Sequence, residues 1–561
     1  MALLVLAGGV AVAADAQSET TEEATATEVT SAEPQVDSVA VATVAIEART
    51  VPDLLRDLAQ ASLNETPAIV DALASSGGLS MLPLFQAMLA GELYYERETL
   101  RILRIAENEA GDDVASDVLT DADLGPVNAR DYRKVRINNR VRGQLRDAIA
   151  RINLTEGSAD QRRAAATAML DGIDDSTVAA FEQALKTETD AQVRDVIEVG
   201  IAMAVLKSAA TESEQLVALE QLDGRLEAPV RNLLTSIAES SGDGRPTAVQ
   251  RQAAAIVSGI NARIEHYQFL EQLFFGLSLG SVLLLAAIGL AVTFGVMGVI
   301  NMAHGEMLML GAYTTYVIQQ LMPQSINLSI WVAIPSAFIV AALFGMLIQR
   351  FVIRYLAGRP LETLLATFGI SLILQQSVRT IFSPLNRRVI SPDWMSGSWQ
   401  INPVLSLTNN RLYILAFSLI VFFILLLILK RTSLGLNVRA VSQNRDMARA
   451  MGIRTDIVDA MTFGLGSGIA GIAGVALSQL TNVGPNLGQQ YIIDSFMVVV
   501  FGGVGNLFGT LLAAFSLGVA NKFLEPVTGA VLANTFILIF IILFIQKRPK
   551  GLFPQKGRAA E

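Results

Sequence analysis

Arg439-Ala-Val-Ser-Gln-Asn-Arg-Asp-Met-Ala-Arg-Ala-Met-Gly-Ile453 is a short charged stretch set between two long apolar ones. The run before it ends at Leu429-Lys430-Arg431, and the run after it opens near Ile457. A polar segment this short between two membrane-length runs is a loop, and its arginines assign it to the cytoplasmic side. Val441, Ala448, Met451 and Ile453 recur at about helical spacing, so the stretch predicts one short amphipathic helix offered to a cytoplasmic partner. The fold class that follows is mainly α: a polytopic helical membrane domain preceded by an α-rich soluble domain.

Composition agrees with that division. Hydrophobic residues make up 52% of the 561 residues, and their excess lies after Leu270. The net charge of -10 comes mainly from the front half, which gives no footprint for nucleic acid. The chain has no cysteine, so disulfides, cysteine-ligated zinc and thiol nucleophiles are excluded. Its two histidines, His266 and His304, are too few for a histidine-rich metal site.

Residues 1–16 form an apolar run ending in Ala11-Val-Ala13 and Ala14-Asp-Ala16, which suits a cleaved signal peptide, although basic residues at its start are missing. Residues 17–50 are rich in Thr, Glu and Ala and predict a disordered acidic tether. From 51 to 268 the pattern is mostly helical. Leu54, Leu55 and Leu58 make one apolar face, and Leu100, Leu103, Ile105 and Ala106 make another. Short strands are read at Leu93-Tyr94-Tyr95 and Val114 to Leu119, and a basic helix at Gly143 to Ile152. Ala191-Gln-Val193-Arg194 is echoed by Ala228-Pro-Val230-Arg231, a spacing that suggests stacked helical hairpins of HEAT type. Arg130, Arg133, Arg136, Arg140, Arg142 and Arg146 could hold an anion or a partner protein, and the plainer reading is a solvated helix face paired with acids. No catalytic constellation is present, so this half reads as an exported interaction or regulatory module.

The back half, 269–553, divides into apolar segments near Leu273–Ile300, Met307–Leu321, Ile330–Gln349, Leu361–Phe382, Leu412–Leu429, Ile457–Leu480, Tyr491–Val504, Phe508–Phe523 and Thr528–Gln546, about eight or nine crossings. Basic clusters follow the third, fifth and ninth. Those counts share one parity, so all three clusters are cytoplasmic if the chain enters from outside, and residues 554–561 form a cytoplasmic tail. Arg387 and Arg388 disagree with that bias.

Two places break the helical pattern. One is Phe294-Gly-Val-Met-Gly-Val-Ile-Asn-Met-Ala-His-Gly-Glu306, and the other is Phe501-Gly-Gly-Val-Gly-Asn-Leu-Phe-Gly509. Interrupted helices in corresponding positions point to a substrate path, for which the candidates are Asn301, His304, Gly305, Glu306, Gly502, Gly503, Gly505 and Asn506. The plainer reading is that His304 and Glu306 hydrogen-bond a tight turn. Asp494 and Glu362 are read as interfacial. Gly464, Gly466, Ser467, Gly468, Gly471 and Gly474 suit close helix packing. No Gly-x-x-x-x-Gly-Lys-[Ser/Thr] loop occurs, so any ATP site must lie on another subunit.

Asn301-Met-Ala-His-Gly-Glu306 with Gly311-Ala-Tyr313, the 439–453 loop, Phe501-Gly-Gly-Val-Gly-Asn506 and Arg548-Pro-Lys-Gly-Leu-Phe553 together resemble the LivH-type permeases, the membrane subunits of branched-chain amino acid ABC importers. Gly91-Glu-Leu-Tyr94 and Lys134-Val-Arg-Ile-Asn-Asn-Arg140 resemble the extension of the UrtB-type permease of urea importers, which turns the expected cargo to urea. The resemblance implies a bacterial inner-membrane protein with a periplasmic N-terminal domain and a cytoplasmic C-terminus. It also implies a second permease subunit of similar fold, two cytoplasmic ATPases that hold the ATP, and a periplasmic substrate-binding protein. It makes Arg439, Asn444, Asp446, Ala448, Arg449, Ala450, Met451 and Gly452 the coupling helix, without the Glu that related motifs carry. Branched-chain amino acids or short amides are the alternative cargo. A passive channel is the alternative of another class.

Overall fold

A computed structural model describes residues 50–107, 113–208, 210–240, 246–356 and 358–553. The expected signal peptide, nearly all of the acidic tether and the C-terminal tail lie outside the described residues. The chain falls into two compact units, Met1–Ala204 and Val205–Glu561.

The first unit opens with helices α1 (Val51–Gln60), α2 (Thr66–Gly77) and α3 (Leu82–Ala90). Five strands follow: β1 (Leu93–Glu96), β2 (Ile102–Glu107), β3 (Asp113–Asp117), β4 (Asp123–Pro126) and β5 (Tyr132–Lys134). They form one antiparallel sheet in the order β4-β3-β2-β1-β5, with Leu93 opposite Arg104 and Tyr95 opposite Arg133. The helical face expected from Leu100, Leu103, Ile105 and Ala106 is thus corrected: Leu103, Ile105 and Ala106 lie in β2. Leu103 and Ile105 are both buried, and both faces of that central strand are partly covered, so its apolar run has no clean alternation for a sequence reading to find. The strand expected from Val114 is β3, and the basic helix is α4 (Asn139–Glu156), capped by Asn138 Oδ1 accepting from Val141 N at 2.8 Å. Leu54, Leu73, Phe85, Leu93, Val141 and Leu145 form the core.

Helices α5 (Ala159–Met169), α6 (Asp175–Thr187) and α7 (Ala191–Lys207) complete this region. Arg162 Nε donates to Glu188 at 2.7 Å across α5 and the end of α6. The second unit begins with α8 (Glu212–Leu222) and α9 (Ala228–Glu239), which pack along α10 (Ala248–Met297). The echoed segments at Ala191 and Ala228 each open a helix, α7 and α9. Compactness divides the chain earlier than hydropathy does, because α10 is one uninterrupted helix of 50 residues. At 1.5 Å per residue it runs for about 75 Å, over twice the ~30 Å of a bilayer core. One helix therefore serves both the α8–α9 layer and the apolar bundle.

The bundle continues with α11 (His304–Leu321), α12 (Ile326–Phe351), α13 (Pro360–Phe382), a short hairpin β6 (Ser398–Gln400) and β7 (Ser406–Thr408), α14 (Asn409–Arg431), α15 (Ser433–Gln443), α16 (Arg445–Ala450), α17 (Thr455–Ser478), α18 (Leu487–Gly502), α19 (Leu507–Thr528) and α20 (Ala530–Lys547). All nine expected apolar segments are helices. Eight stretches among the described residues are long and apolar enough to cross a membrane. One of these, Thr66–Ala90, is α2, a turn and α3, broken at Gly78 with φ +50°, and its apolar side chains line the first unit's core. Helix α17 is central, packed on α10, α11 and α12. Its small residues permit that: a Cβ on Gly471 would sit 2.5 Å from Ala337 O, and one on Gly474 would sit 2.0 Å from Leu308 O.

Candidate functional site

Helix α13 is amphipathic in the inverted sense that suits a membrane. Leu361, Leu365 and Ile373 are exposed, while Thr363, Thr367, Ser371 and Gln375 are buried at four-residue steps. That spacing keeps the four polar groups on one broad face. The ladder faces the break between α10 and α11. Thr367 Oγ1 accepts from Met302 N at 3.2 Å, and Ser371 Oγ and Gln375 Nε2 each donate to Glu306 Oε1 at 2.8 Å. Glu306 is 1% exposed, and its Oε2 has no hydrogen-bond partner among the described residues.

Asn301 Oδ1 turns back to accept from Ala303 N at 3.0 Å, which folds the break, while its buried Nδ2 stays unpartnered. His304 is fully buried, with Nε2 3.1 Å from Ala286 O on α10. A carbonyl only accepts, so the proton sits on Nε2. His304 and Glu306 therefore bridge to neighbouring helices instead of bonding their own turn, which corrects the plainer sequence reading. Gly305 is needed for close approach: a Cβ there would lie 2.3 Å from Gly488 O on α18. Two turns along α11, the buried Tyr313 hydroxyl is likewise unpartnered. The arrangement offers acceptors and donors to a small polar solute inside an apolar wall.

The second break lies elsewhere. Leu552 N donates to Phe501 O at 2.9 Å and Phe553 N to Gly502 O at 3.2 Å, so residues 551–553 lie against the hinge. Gly503 has φ +105°, and a Cβ on it would meet Phe553 O at 2.6 Å. Asn506 Oδ1 caps α19 through Gly509 N, and its Nδ2 donates to Phe553 O. Both ends of that amide are engaged within the chain. Gly502, Gly503, Gly505 and Asn506 thus do not join Asn301 and Glu306 in one niche, contrary to expectation. They form a hinge closed by the chain's own tail, with Gly505 against Gly295 of α10.

The charged loop is two helices, not one. Asn444 has φ -149° and ψ 104°, and it caps α16 by accepting from Met447 N at 3.0 Å. Arg439 belongs to α15, whereas Asp446, Ala448, Arg449 and Ala450 belong to α16. Met451 follows them, and Gly452 closes the turn at φ +85°. Asparagine's competing side-chain hydrogen bond breaks the helix there. Val441 and Ala448 face inward in a cluster with Val438 and Val458, so they are not the surface offered outward. That surface is Met447 and Met451, 60% and 79% exposed. Arg445 is tied to Asp459 at 2.8 Å and Arg449 to Thr455 at 3.0 Å, which fixes α16 on α17.

Asp494, expected at an interface, lies at the middle of α18 and lines a cavity of about 510 Å3 with Asn521, Lys522 and Glu525. Glu362 is where it was expected, in the first turn of α13 beside Arg359. The ladder on α13 and Met447 were not picked out from the sequence. The four-residue recurrence of polar residues in an apolar segment was the available signal for the ladder.

Known proteins show the same membrane half. Residues 272–546 match the family model described as branched-chain amino acid transport system / permease component. The chain is 31% identical over 297 residues to the high-affinity branched-chain amino acid transport system permease protein BraD of Pseudomonas aeruginosa, covering 51% of this chain and 96% of that one. It is 31% identical over 301 residues to the LivH permease protein of Salmonella typhimurium, covering 51% and 95%. Against the probable LivH permease protein of Methanocaldococcus jannaschii it is 25% identical over 288 residues, covering 48% and 88%. No solved structure matches the chain. With nearly the whole length of such permeases matched at this identity, the chain belongs to the branched-chain amino acid transport permease family.

Proposed function

We propose that this chain is the membrane subunit of an ATP-driven importer in a bacterial inner membrane, and that its solute passes the niche between α11 and α13. The carrying observation is Glu306, buried among apolar helices yet held by Ser371 and Gln375 with one carboxylate oxygen left over. An ionisable group in such a place marks a solute path. In this reading a periplasmic binding protein delivers solute, a second permease subunit completes the path, and two cytoplasmic ATPases drive it through α16. Residues 51–268 are periplasmic and the C-terminus is cytoplasmic, which the basic clusters after α12, α14 and α20 support.

Urea is the proposed cargo. A small neutral amide rich in N–H donors and with one carbonyl acceptor matches hydroxyl, amide and carboxylate groups, and the extension with Gly91–Tyr94 and Lys134–Arg140 resembles that of urea permeases. Branched-chain amino acids are the second reading, favoured by what the relatives' names say they carry. The test is uptake of labelled urea and labelled leucine by a deletion strain under nitrogen limitation, with and without this chain restored. Restored urea uptake alone supports urea, and restored leucine uptake alone moves the cargo to amino acids. If neither is restored although the chain reaches the membrane with its partners, the importer reading of these solutes fails.

A further inference from the structure

A cavity of about 300 Å3 opens where α14 ends, between the last turns of α10, the start of α19 and α15. Its floor is apolar, made by Val292, Val438 and Leu507, and its rim carries Lys430, Arg439 and Ser442. This two-part character is that of a phospholipid: hydrocarbon below, an anionic phosphate at the edge.

The charges on the rim are also unspent. Three cations on neighbouring helices have carboxylate partners: Arg354 takes Asp456 at 2.9 Å, Arg445 takes Asp459 at 2.8 Å, and Arg359 takes Glu362 at 3.1 Å. No carboxylate pairs with Lys430 or Arg439 among the described residues. Lys430 Nζ lies 5.6 Å from the Phe508 ring centroid, an aromatic face that steadies the ammonium without neutralising it. Arg439 spends one N–H on Leu429 O, and its remaining donors are free to grip a second group. Two unneutralised cations beside an apolar cavity, at the boundary of a membrane span, are the arrangement that attracts anionic headgroups.

We propose that this cavity binds an anionic phospholipid, with its phosphate between Lys430 and Arg439 and the first part of an acyl chain on the floor. The volume, at the small end of ligand sites of ~300–1,000 Å3, admits that much of the lipid while the rest stays in the bilayer. The site goes beyond the solute path. It ties α15, which leads into α16, to the hinge where Gly505 meets Gly295, so an occupant there would stiffen the link between the cytoplasmic-type helices and the bundle.

The experiment is native mass spectrometry of the full chain in detergent. The probes are dioleoyl phosphatidylglycerol, dioleoyl phosphatidylcholine and inorganic phosphate. One phosphatidylglycerol should bind about tenfold or more tightly than phosphatidylcholine, as two surface cations would provide. The exposed-residue variants Lys430→Gln and Arg439→Gln should each shrink that preference, and together abolish it. Ser442→Trp, which narrows the mouth and leaves both charges, should weaken phosphatidylglycerol as well. Equal binding of the two lipids, or a preference that survives the double substitution, overturns the proposal. If inorganic phosphate binds with the same dependence on Lys430 and Arg439 while the lipids do not differ, the ligand is free phosphate and the lipid assignment is wrong.

Discussion

Glu306 and Gln375, 69 positions apart in the chain, meet at 2.8 Å through Gln375 Nε2 and Glu306 Oε1. This contact joins α11 to α13, a helix with few other contacts to the bundle. One oxygen of this carboxylate holds Ser371 and Gln375 and the other is bare, so on the proposed function it has a binding task beside its structural one. Glu306→Gln removes the bare acceptor at nearly constant volume. Uptake of the cargo should fall by about tenfold, the loss of one charged hydrogen bond of ~1.5 kcal/mol, while the melting temperature holds. Gln375→Leu should instead lower stability by about 1–3 kcal/mol, read by thermal melting, because it strips a partner from a buried carboxylate.

Close packing on α17 predicts a contrast between two glycines. A Cβ at Gly474 would lie 2.0 Å from Leu308 O, whereas one at Gly259, on the first half of α10, meets nothing within 4 Å. Gly474→Ala should destabilise the chain by about 1–3 kcal/mol through overpacking. Gly259→Ala should be neutral or stabilise by up to about 1 kcal/mol through helix propensity. Melting temperatures in one detergent compare them directly.

Met447→Asp with Met451→Asp changes only exposed side chains. If α16 docks the ATPases, the pair should cut ATP-dependent uptake in proteoliposomes to less than about a tenth, since interface anchors contribute ~2 kcal/mol or more. The melting temperature should not move. Ala448→Asp is the opposite case: it buries a charge beside Val438 and Val458 and should lower that temperature. Undiminished uptake by the double methionine variant would reject the docking role.

Orientation is testable because the chain has no cysteine of its own. Thr189→Cys and Lys550→Cys each place a single thiol at an exposed position. In intact spheroplasts an impermeant maleimide should label the first and reach the second only after lysis. The reverse pattern would invert the topology.

The Arg162–Glu188 pair sets a pH dependence outside the membrane. The hydrogen-bonded Arg162 guanidinium lowers the Glu188 carboxyl from an ordinary 4.5 to about 2. A depressed acid stabilises the folded chain fully above its unfolded value and loses that contribution as pH falls through the folded one. Amide protection factors across residues 159–207, corrected for the intrinsic pH dependence of exchange, should hold at neutral pH and fall between about pH 4.5 and 2. Arg162→Ala should show the lower protection already at pH 7, with a loss of about 1.5–3 kcal/mol.

Much of the membrane half was legible because each helix there needs a long apolar run, and such runs are hard to disguise. The breaks at 294–306 and 501–509 were legible for the same reason: glycine clusters and Asn stand out in hydrocarbon-like sequence. What each break does was not, since the bond from Phe553 N to Gly502 O joins residues far apart in the chain. Helix α13 was found by its apolar side, and that side hid the ladder, whose four residues stand among the leucines, isoleucines and phenylalanines of the segment. In the first unit, β2 reads as Ile-Leu-Arg-Ile-Ala-Glu, which fits helix and strand alike until its neighbours β1 and β3 are known. Asn444 shows the finer limit, because a single side chain accepting from Met447 N turned one expected helix into two.

The strand-like contact of residues 551–553 with Phe501 and Gly502 bears on biogenesis. A ribosome that has made α18 has inserted a helix whose terminal carbonyls have no partner until some fifty further residues emerge. The final turn of that span can therefore gain these partners only after residues 551–553 have been made. Removing residues 551–553 would strip Phe501 O and Gly502 O of these donors and leave the last turn of α18 open.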